Sequence, residues 1–202
     1  GSSLFHFYYS SLLLGSIFHL TLANIQTPFQ RNMTGIKSIL GLGLIVFMTC
    51  ADAKANTSQA EAEIGPTEGN TAASGNLTFT QTGTKLMIAG EIRGLSPGEH
   101  GFHIHEHGDC GGMDAKNAGS HFNPSSQQHG TLNGANSHAG DLGNIKANKS
   151  GIAEISIESS NLSLSGSSSV VGRSVIVHEK HDDTVTQPTG ASGSKIACGI
   201  IK

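Results

Sequence analysis

The sequence has 202 residues, of which 27 are glycine, 13% are charged and 5% are aromatic, and its formal net charge is −3. This length predicts one domain with additional sequence. The charge gives no reason to expect a nucleic-acid partner, and the composition argues against a helical bundle and for a turn-rich β protein. Histidine is frequent: there are 11, against 12 Lys and Arg together, and eight of the 11 lie from His100 to His178.

The second of two N-terminal apolar runs has the layout of a secretory signal. It extends from Ile36 to Met48 with Lys37 at its start, and a stretch of mostly small residues follows it up to Ala55. A positive start, a short apolar middle and a small-residue cleavage region define such signals. A membrane anchor is the weaker alternative, because the run is shorter than the ~20 residues of a spanning helix. A lipid anchor at Cys50 is weaker still, because Phe, Met and Thr precede it.

The domain boundaries follow from this signal. Met33 is the first methionine of the chain and lies where a signal peptide should begin. We therefore predict an upstream or cloning-derived segment over residues 1–32, a secretory signal peptide over 33–55 and the functional domain over 56–202. Export would place this domain in the periplasm or the extracellular space.

The domain has the pattern of short strands separated by Gly, Asn and Ser. Leu77 and Phe79 alternate with polar residues, which is the period-two pattern of a half-buried strand. The stretches Asp109–Gly140 and Lys180–Ser194 lack this pattern and predict two long loops, the first far longer than usual in a compact domain. The sequence thus predicts an all-β sandwich or barrel with two long functional loops. The predicted strands cover residues 60–64, 75–80, 85–92, 101–107, 151–157, 162–164, 173–178 and 195–201.

Two histidines lie two positions apart in a predicted strand. The side chains of His103 and His105 therefore share one face of that strand, close enough to bind one metal ion. A His-x-His pair alone is weak evidence for a metal site. A third histidine, His178, ends another apolar strand; taken alone, it is more simply a hydrogen-bonded histidine at a strand end.

The first long loop carries three more histidines, followed by a carboxylate. These ligands are enough for a closed tetrahedral zinc site, and a loop that buries few apolar side chains needs another organiser, such as a metal. Without a metal they are solvated polar residues. Together with the strand histidines they exceed the needs of one four-coordinate site, so we predict two ions, for which imidazole favours copper or zinc. The four residues are His121, His129, His138 and Asp141.

Three further residues bear on this predicted centre. Removal of the signal leaves Cys110 and Cys198, and an even pair in an exported chain suggests a disulfide, with two free buried thiols as the alternative. Asp182 follows His178 by four residues. It is a candidate to orient a ligating histidine through the other ring nitrogen, or else an exposed loop acid.

Five separated blocks carry more information than any single motif. They are Gly101-Phe-His-Ile-His-Glu106, Gly119-Ser-His-Phe-Asn-Pro124, His138-Ala-Gly-Asp-Leu-Gly-Asn144, Gly172-Arg-Ser-Val-Ile-Val-His-Glu-Lys180 and Ala197-Cys-Gly199. In this order and spacing they resemble the copper/zinc superoxide dismutase family over roughly residues 60–202. The resemblance implies an eight-stranded Greek-key β-barrel with one copper and one zinc ion per subunit.

The resemblance also implies a role for each candidate residue. The implied copper ligands are His103, His105, His121 and His178. The implied zinc ligands are His121, His129, His138 and Asp141, so that His121 would be shared as a bridging imidazolate. Asp182 would link a copper ligand to a zinc ligand through hydrogen bonds, and Cys110 and Cys198 would form the intrachain disulfide.

The implied reaction converts two superoxide anions to dioxygen and hydrogen peroxide, with copper cycling between Cu(II) and Cu(I) and zinc in a structural role. His121 would leave copper on reduction and supply one proton. An anionic substrate favours a positive entrance, and the family usually has arginine where this chain has Lys195. Lysine keeps the charge but loses the planar fork of donors, so we expect weaker or differently arranged steering without loss of activity.

Other functions and partners stay open at this point. A non-catalytic barrel that stores or delivers copper and zinc could lose a copper ligand or the positive residue; this sequence retains every family ligand, which favours the enzyme. A zinc hydrolase needs an open position and a general base, which the excess of imidazoles disfavours. The family contains dimers and monomers, so a homodimer and a copper source or chaperone are candidate partners beside superoxide.

Two sets of residues lie outside these assignments. Among the other histidines of the domain, we expect His100 to be structural and His107 and His181 to be solvated. Asn-x-Ser/Thr sequons matter only in a eukaryotic secretory pathway. Within the predicted domain they begin at Asn56, Asn76, Asn148 and Asn161.

Overall fold

The computed structural model describes residues 57–70 and 72–202. The predicted signal peptide, the upstream segment and Asn56 lie outside these residues. No helix within them is long and apolar enough to cross a membrane. The strands are β1 (Thr57–Pro66), β2 (Ser74–Thr82), β3 (Lys85–Arg93), β4 (Gly98–His105), β5 (Asp141–Ala147), β6 (Ala153–Ser159), β7 (Ser174–His178) and β8 (Lys195–Ile200), with short 3-10 helices at Lys116–Ala118 and Gly166–Ser168.

The eight strands close into one antiparallel barrel in the spatial order β1-β2-β3-β6-β5-β4-β7-β8. β1, β2 and β3 form a meander, with a tight turn at Gly83–Thr84 between the paired residues Thr82 and Lys85. The non-sequential neighbours β3 and β6, and β4 and β7, are the crossovers of a Greek-key arrangement. The predicted eight-stranded barrel is therefore confirmed.

The barrel interior is apolar because alternate side chains of each strand point into it. On β2, Leu77 and Phe79 are buried while their neighbours are more exposed, and on β3 the buried positions are Leu86, Ile88 and Ile92. Burying one such side chain stabilises the fold by about 1.5–3 kcal/mol. This interior holds the strands in register and so fixes the positions of the strand ends.

Two predicted elements need correction. β5 was not predicted, because Gly143 and Asn144 separate its buried residues Leu142 and Ile145 and break the period of two. The predicted strand at residues 162–164 is wrong. Leu162 is buried there, but the segment makes only an isolated bridge from Ser163 to Ser169, so an apolar side chain was mistaken for strand pairing.

The strand ends bring the candidate residues together. β4 lies between β5 and β7, and β7 lies beside β8. His103 on β4 is the partner of Asp141, the first residue of β5, and His178 at the end of β7 is the partner of Lys195, the first residue of β8. Because β4 and β7 are antiparallel, the two long connections, residues 106–140 and 179–194, leave this strand pair at opposite ends, and they lead back to it at Asp141 and Lys195.

Candidate metal centre

Four imidazoles form the first of two buried groups. One ligand atom from each lies within 4.8 Å of the others, and all four side chains are buried. Two come from β4, one from the end of β7 and one from the first long connection. The members are His103, His105, His121 and His178.

His105 and His178 each direct one ring nitrogen to a backbone carbonyl and the other into the first group. Nδ1 of His105 is 2.9 Å from the carbonyl oxygen of Gly119, and Nδ1 of His178 is 3.1 Å from that of Gly193. The Nε2 atoms of the two histidines are 3.4 Å apart. With each Nδ1–H donated to a carbonyl, each Nε2 keeps a lone pair for a ligand in the group.

The other two histidines of the group each have a buried ring nitrogen without a partner. His103 Nδ1 and His121 Nε2 make no hydrogen bond to any described residue. Their opposite nitrogens are held by carboxylates: His103 Nε2 is 2.7 Å from Asp182, and His121 Nδ1 is 2.8 Å from Asp141. A buried polar atom without a partner indicates a ligand such as an ion, and these imidazoles fit copper.

The second group surrounds a single carboxylate oxygen. Oδ1 of Asp141 lies 2.8, 3.0 and 3.2 Å from the Nδ1 atoms of His121, His129 and His138, respectively. Its Oδ2 accepts hydrogen bonds from the backbone N–H groups of Gly130 and His138. Three imidazole nitrogens and one carboxylate are a donor set of closed zinc sites, so this group fits zinc.

Asp182 connects the two groups. Its Oδ2 is 2.7 Å from His103 Nε2 in the first group, and its Oδ1 is 2.9 Å from His129 Nε2 in the second. Gly190 packs directly against this contact, because a Cβ there would lie 1.9 Å from Oδ1 and 2.6 Å from the His129 nitrogen. Its φ of +64° also favours glycine.

Sequence reasoning missed two amides that hold these residues. The Asn144 side chain donates to the Asp182 carbonyl at 2.8 Å and accepts from the Asp182 N–H at 2.6 Å. Gln187 forms the same two-way contact with the backbone of His129, at 2.8 and 2.9 Å. Asn144 closes one of the five sequence blocks, which was the only signal for it; Gln187 had none.

Burial sets the protonation of the centre. It lowers the pKa of His105 and His178 well below their usual range, and lowers that of His121 to about 4. Burial opposes ionisation of Asp141 and Asp182, but hydrogen bonds from histidines outweigh it and keep both carboxyl pKa values below their usual range. His129 differs, because burial, which would lower its pKa, is outweighed by hydrogen bonds with Asp141 and Asp182, which raise that pKa to about 9. Ligating imidazoles are neutral, so His129 would release a proton on binding a metal ion.

Of the remaining candidates, Lys195 lies nearest the first group in the strand pairing, as the partner of His178. Burial lowers its pKa, opposed by the charge of Asp114. His100 is buried, with Nδ1 2.8 Å from the His178 carbonyl oxygen, and therefore has the expected structural position. His107 and His181 are exposed and belong to neither group.

The two cysteines form the predicted disulfide, which joins the first long connection to β8. Cys198 packs with Ala115, Ala118 and Ile176 in a small apolar cluster outside the main core, and Cys110 lies against it. The alternative of two free thiols is wrong. The disulfide fixes the loop that carries His121 to the strand that begins at Lys195.

A closed antiparallel barrel with two adjoining buried groups of imidazole-rich ligands defines a class of two-metal β-barrel proteins. Comparison with known sequences makes the class specific. The sequence model of the family described as copper/zinc superoxide dismutase (SODC) matches residues 73–201, and the chain belongs to this family.

Individual relatives agree with this assignment. An extracellular Cu-Zn superoxide dismutase of Caenorhabditis elegans is 41% identical over 167 residues, which are 78% of this chain and 75% of the relative. One of Haemonchus contortus is 43% identical over 133 residues, or 63% and 72% of the two chains. A crystal structure of the clock protein EA4 has a TM-score of 0.66 and 40% identity, covering 71% of this chain and 93% of that one.

Proposed function

We propose that the chain is an exported superoxide dismutase that converts two superoxide anions and two protons into dioxygen and hydrogen peroxide. One observation carries the proposal: two buried ligand groups meet at His121, and two unpartnered ring nitrogens lie in the first of them. When bound, copper supplies the one-electron chemistry by alternating between Cu(II) and Cu(I), whereas zinc has no redox chemistry.

The hydrogen bonds assign a donor atom to each ligand. In the first group, the nitrogens left free by other contacts are Nδ1 of His103 and Nε2 of His105, His121 and His178, and these would hold copper. In the second, zinc would take the Nδ1 atoms of His121, His129 and His138 and the carboxylate of Asp141. His121 would then donate from both ring nitrogens.

We assign proton delivery to His121. Its Nε2 is buried, has no hydrogen-bond partner among the described residues and belongs to the first group. Its Nδ1 is held by Asp141, which fixes the ring. A proton carried on Nε2 would therefore be placed at the group where peroxide forms.

Asp182 and Lys195 act on the reaction without being ligands. Asp182 receives hydrogen bonds from a ligand of each group, which orients both rings and raises their basicity. Lys195 places a positive charge beside His178, where it would attract an anionic substrate.

We further propose the domain boundaries and partners. Residues 33–55 would direct export as a cleaved signal peptide, and residues 56–202 would be the mature enzyme, with residues 1–32 upstream of it. The extracellular names of several relatives agree with export. A copper-donating chaperone and a homodimer are the further partners to test, by copper transfer from a candidate donor and by sedimentation of the metal-loaded chain.

A metal-reconstitution assay tests the enzymatic function. We expect rapid decay of superoxide with the copper- and zinc-loaded protein and only the slow background decay with zinc alone. His105→Ala should remove the copper-dependent rate, while His107→Ala, which alters an exposed histidine in the same segment, should leave it intact. Equal slow decay with both metal loadings would contradict the dismutase function and favour a barrel that stores or delivers metal.

A further inference from the structure

We propose that Asn148 is the N-glycosylation site of the described domain and carries an oligosaccharide in the exported protein. The proposal rests on the export proposed above and on a eukaryotic secretory pathway. Three Asn-x-Ser/Thr sequons lie within the described residues, starting at Asn76, Asn148 and Asn161. Because an attached glycan is bulky and needs a surface loop, the structure separates them.

Asn148 lies at the tip of the hairpin between β5 and β6. It is exposed together with Lys149 and Ser150, the other two residues of its sequon. Its Oδ1 accepts hydrogen bonds from the backbone N–H groups of Ser150, at 2.8 Å, and Ile152, at 3.1 Å. These contacts leave the side-chain nitrogen, which is the atom that bears an N-linked sugar, without a protein partner among the described residues.

The turn itself is anchored independently of the Asn148 nitrogen. Gly151 donates to the Asn148 carbonyl at 2.9 Å and accepts from Leu95 at 3.1 Å, so the base of the turn is packed on the β3–β4 connection. Gly151 is buried, while the three sequon residues are not. A glycan on Asn148 would therefore extend into solvent from a rigid support and displace no described contact.

The other two sequons are in different surroundings. Asn76 lies in the middle of β2, where its backbone pairs with Glu63 on one side and Glu91 on the other, so it is not in a loop. Asn161 is only half-exposed, and its side-chain nitrogen is 3.5 Å from the Gly134 carbonyl in the first long connection. A glycan on Asn161 would displace that contact.

The position of Asn148 is also compatible with activity. β5 begins at Asp141 in the metal centre and ends one residue before Asn148. Because a β-strand rises about 3.3 Å per residue, the two ends of β5 are roughly 20 Å apart. A glycan at this turn therefore lies at the far end of β5 from Asp141.

The modification is a group transfer with a defined donor. An oligosaccharide bound through its anomeric carbon to a lipid diphosphate is the donor class. A bond forms between that carbon and the Asn148 side-chain nitrogen, the bond from the carbon to the phosphate oxygen breaks, and the lipid diphosphate leaves. The amide nitrogen loses one proton, and no oxidant or reductant is needed.

The experiment expresses the full chain in a eukaryotic secretory host and analyses the protein recovered from the medium. We expect the peptide with Asn148 to carry the glycan, and enzymatic release to leave aspartate at this position. Asn148→Gln and Ser150→Ala should each lower the mass by the whole glycan, while Ser150→Thr should retain it. Asn76→Gln and Asn161→Gln are the matched controls and should leave the mass of the glycan unchanged.

Activity separates this proposal from the enzymatic one. The unglycosylated Asn148→Gln variant should dismutate superoxide at the rate of the parent protein when loaded with copper and zinc. Secreted protein with an unmodified Asn148, or loss of the glycan in Asn161→Gln, would overturn the site. A chain that never reaches the medium would instead contradict the export on which this proposal rests. A glycosylated but inactive protein would instead contradict the enzymatic function and leave the site standing.

Discussion

The barrel interior and the metal-centre side of the domain are ordered by different forces. The interior is filled by apolar side chains such as Leu77, Phe79 and Ile88, which are almost fully buried. On the other side, the long connections bury histidines and aspartates, among them His121 and Asp182, which hydrogen bonds hold in place. The disulfide adds a covalent link only on this second side.

This difference predicts which changes each region tolerates. Apolar burial is non-directional, so the interior needs volume and shape. The metal-centre side contains buried ring nitrogens without a hydrogen-bond partner among the described residues. A buried polar atom that lacks a partner lowers the free energy of unfolding. Loss of a ligand should therefore affect the centre while the barrel stays folded, whereas loss of a core side chain should affect the whole fold.

The largest effect is expected from a ligand of the first group. His178→Ala should bring superoxide decay down to the rate of the zinc-only protein, because the copper group loses one of its four nitrogens. Far-ultraviolet circular dichroism should still report the β-barrel. His181→Ala is the matched control, since this exposed histidine belongs to neither group. Collapse of the β signal in His178→Ala would break the proposed separation of the two regions.

Loss of the disulfide should cost the most stability. Changing Cys110 and Cys198 together to alanine removes a cross-link between residues that are 88 positions apart in the sequence. In the chain-entropy model this lowers the free energy of unfolding by roughly 4–5 kcal/mol. Denaturant unfolding of the metal-loaded protein measures this free energy. We expect the loop side to loosen first, seen as faster hydrogen exchange in residues 106–120 than in β2 and β3. Uniform loosening would show that the disulfide supports the barrel as well.

A core substitution is the counterpart in the other region. Phe79→Ala should lower the free energy of unfolding by about 3–5 kcal/mol, because it removes buried apolar surface and leaves a cavity. The protein that remains folded should keep its copper-dependent rate. The exposed-face change Thr80→Ala on the same strand serves as control. An inactive but fully folded Phe79→Ala protein would contradict the independence of core and centre.

Asp182→Asn should have an intermediate effect on metal binding. The amide cannot accept from both His103 and His129 as the carboxylate does, so the two rings lose their common support. We expect a loss of about 10–100-fold in zinc affinity, measured by competition with a chelator. Glu179→Gln, at an exposed acid of the same connection, is the control. Unchanged zinc affinity would assign Asp182 to loop structure alone.

The smallest effect is expected at Lys195. Lys195→Arg keeps the charge and adds a planar fork of donors, so the rate should rise by a few-fold at low ionic strength, with the gain reduced by salt. Lys146→Arg, on the exposed face of β5, should change neither quantity. If rate and salt dependence are the same in Lys195→Arg and the parent protein, Lys195 does not steer the substrate.

The sequence predicted some strands correctly and missed or misplaced others. The alternation of Leu77 and Phe79 with polar residues predicted β2, and both side chains are buried in the barrel. β5 was missed because its ladder is defined by pairing with β4 rather than by its own pattern. At residues 162–164, Leu162 is buried without any strand partner, so apolarity alone was misleading.

The sequence by itself predicted the candidate ligands, six histidines and one aspartate, and the disulfide, because five blocks in order and spacing resemble one family, whereas a single motif such as His103-x-His105 was weak evidence alone. Only the tertiary structure decided which ring nitrogen faces which group, since that depends on carbonyls and carboxylates far away in the chain, such as Gly193 and Asp182. It also revealed Asn144, Gln187 and Gly190 beside the centre. Their contribution is a contact made in space, and no local pattern of residues encodes it.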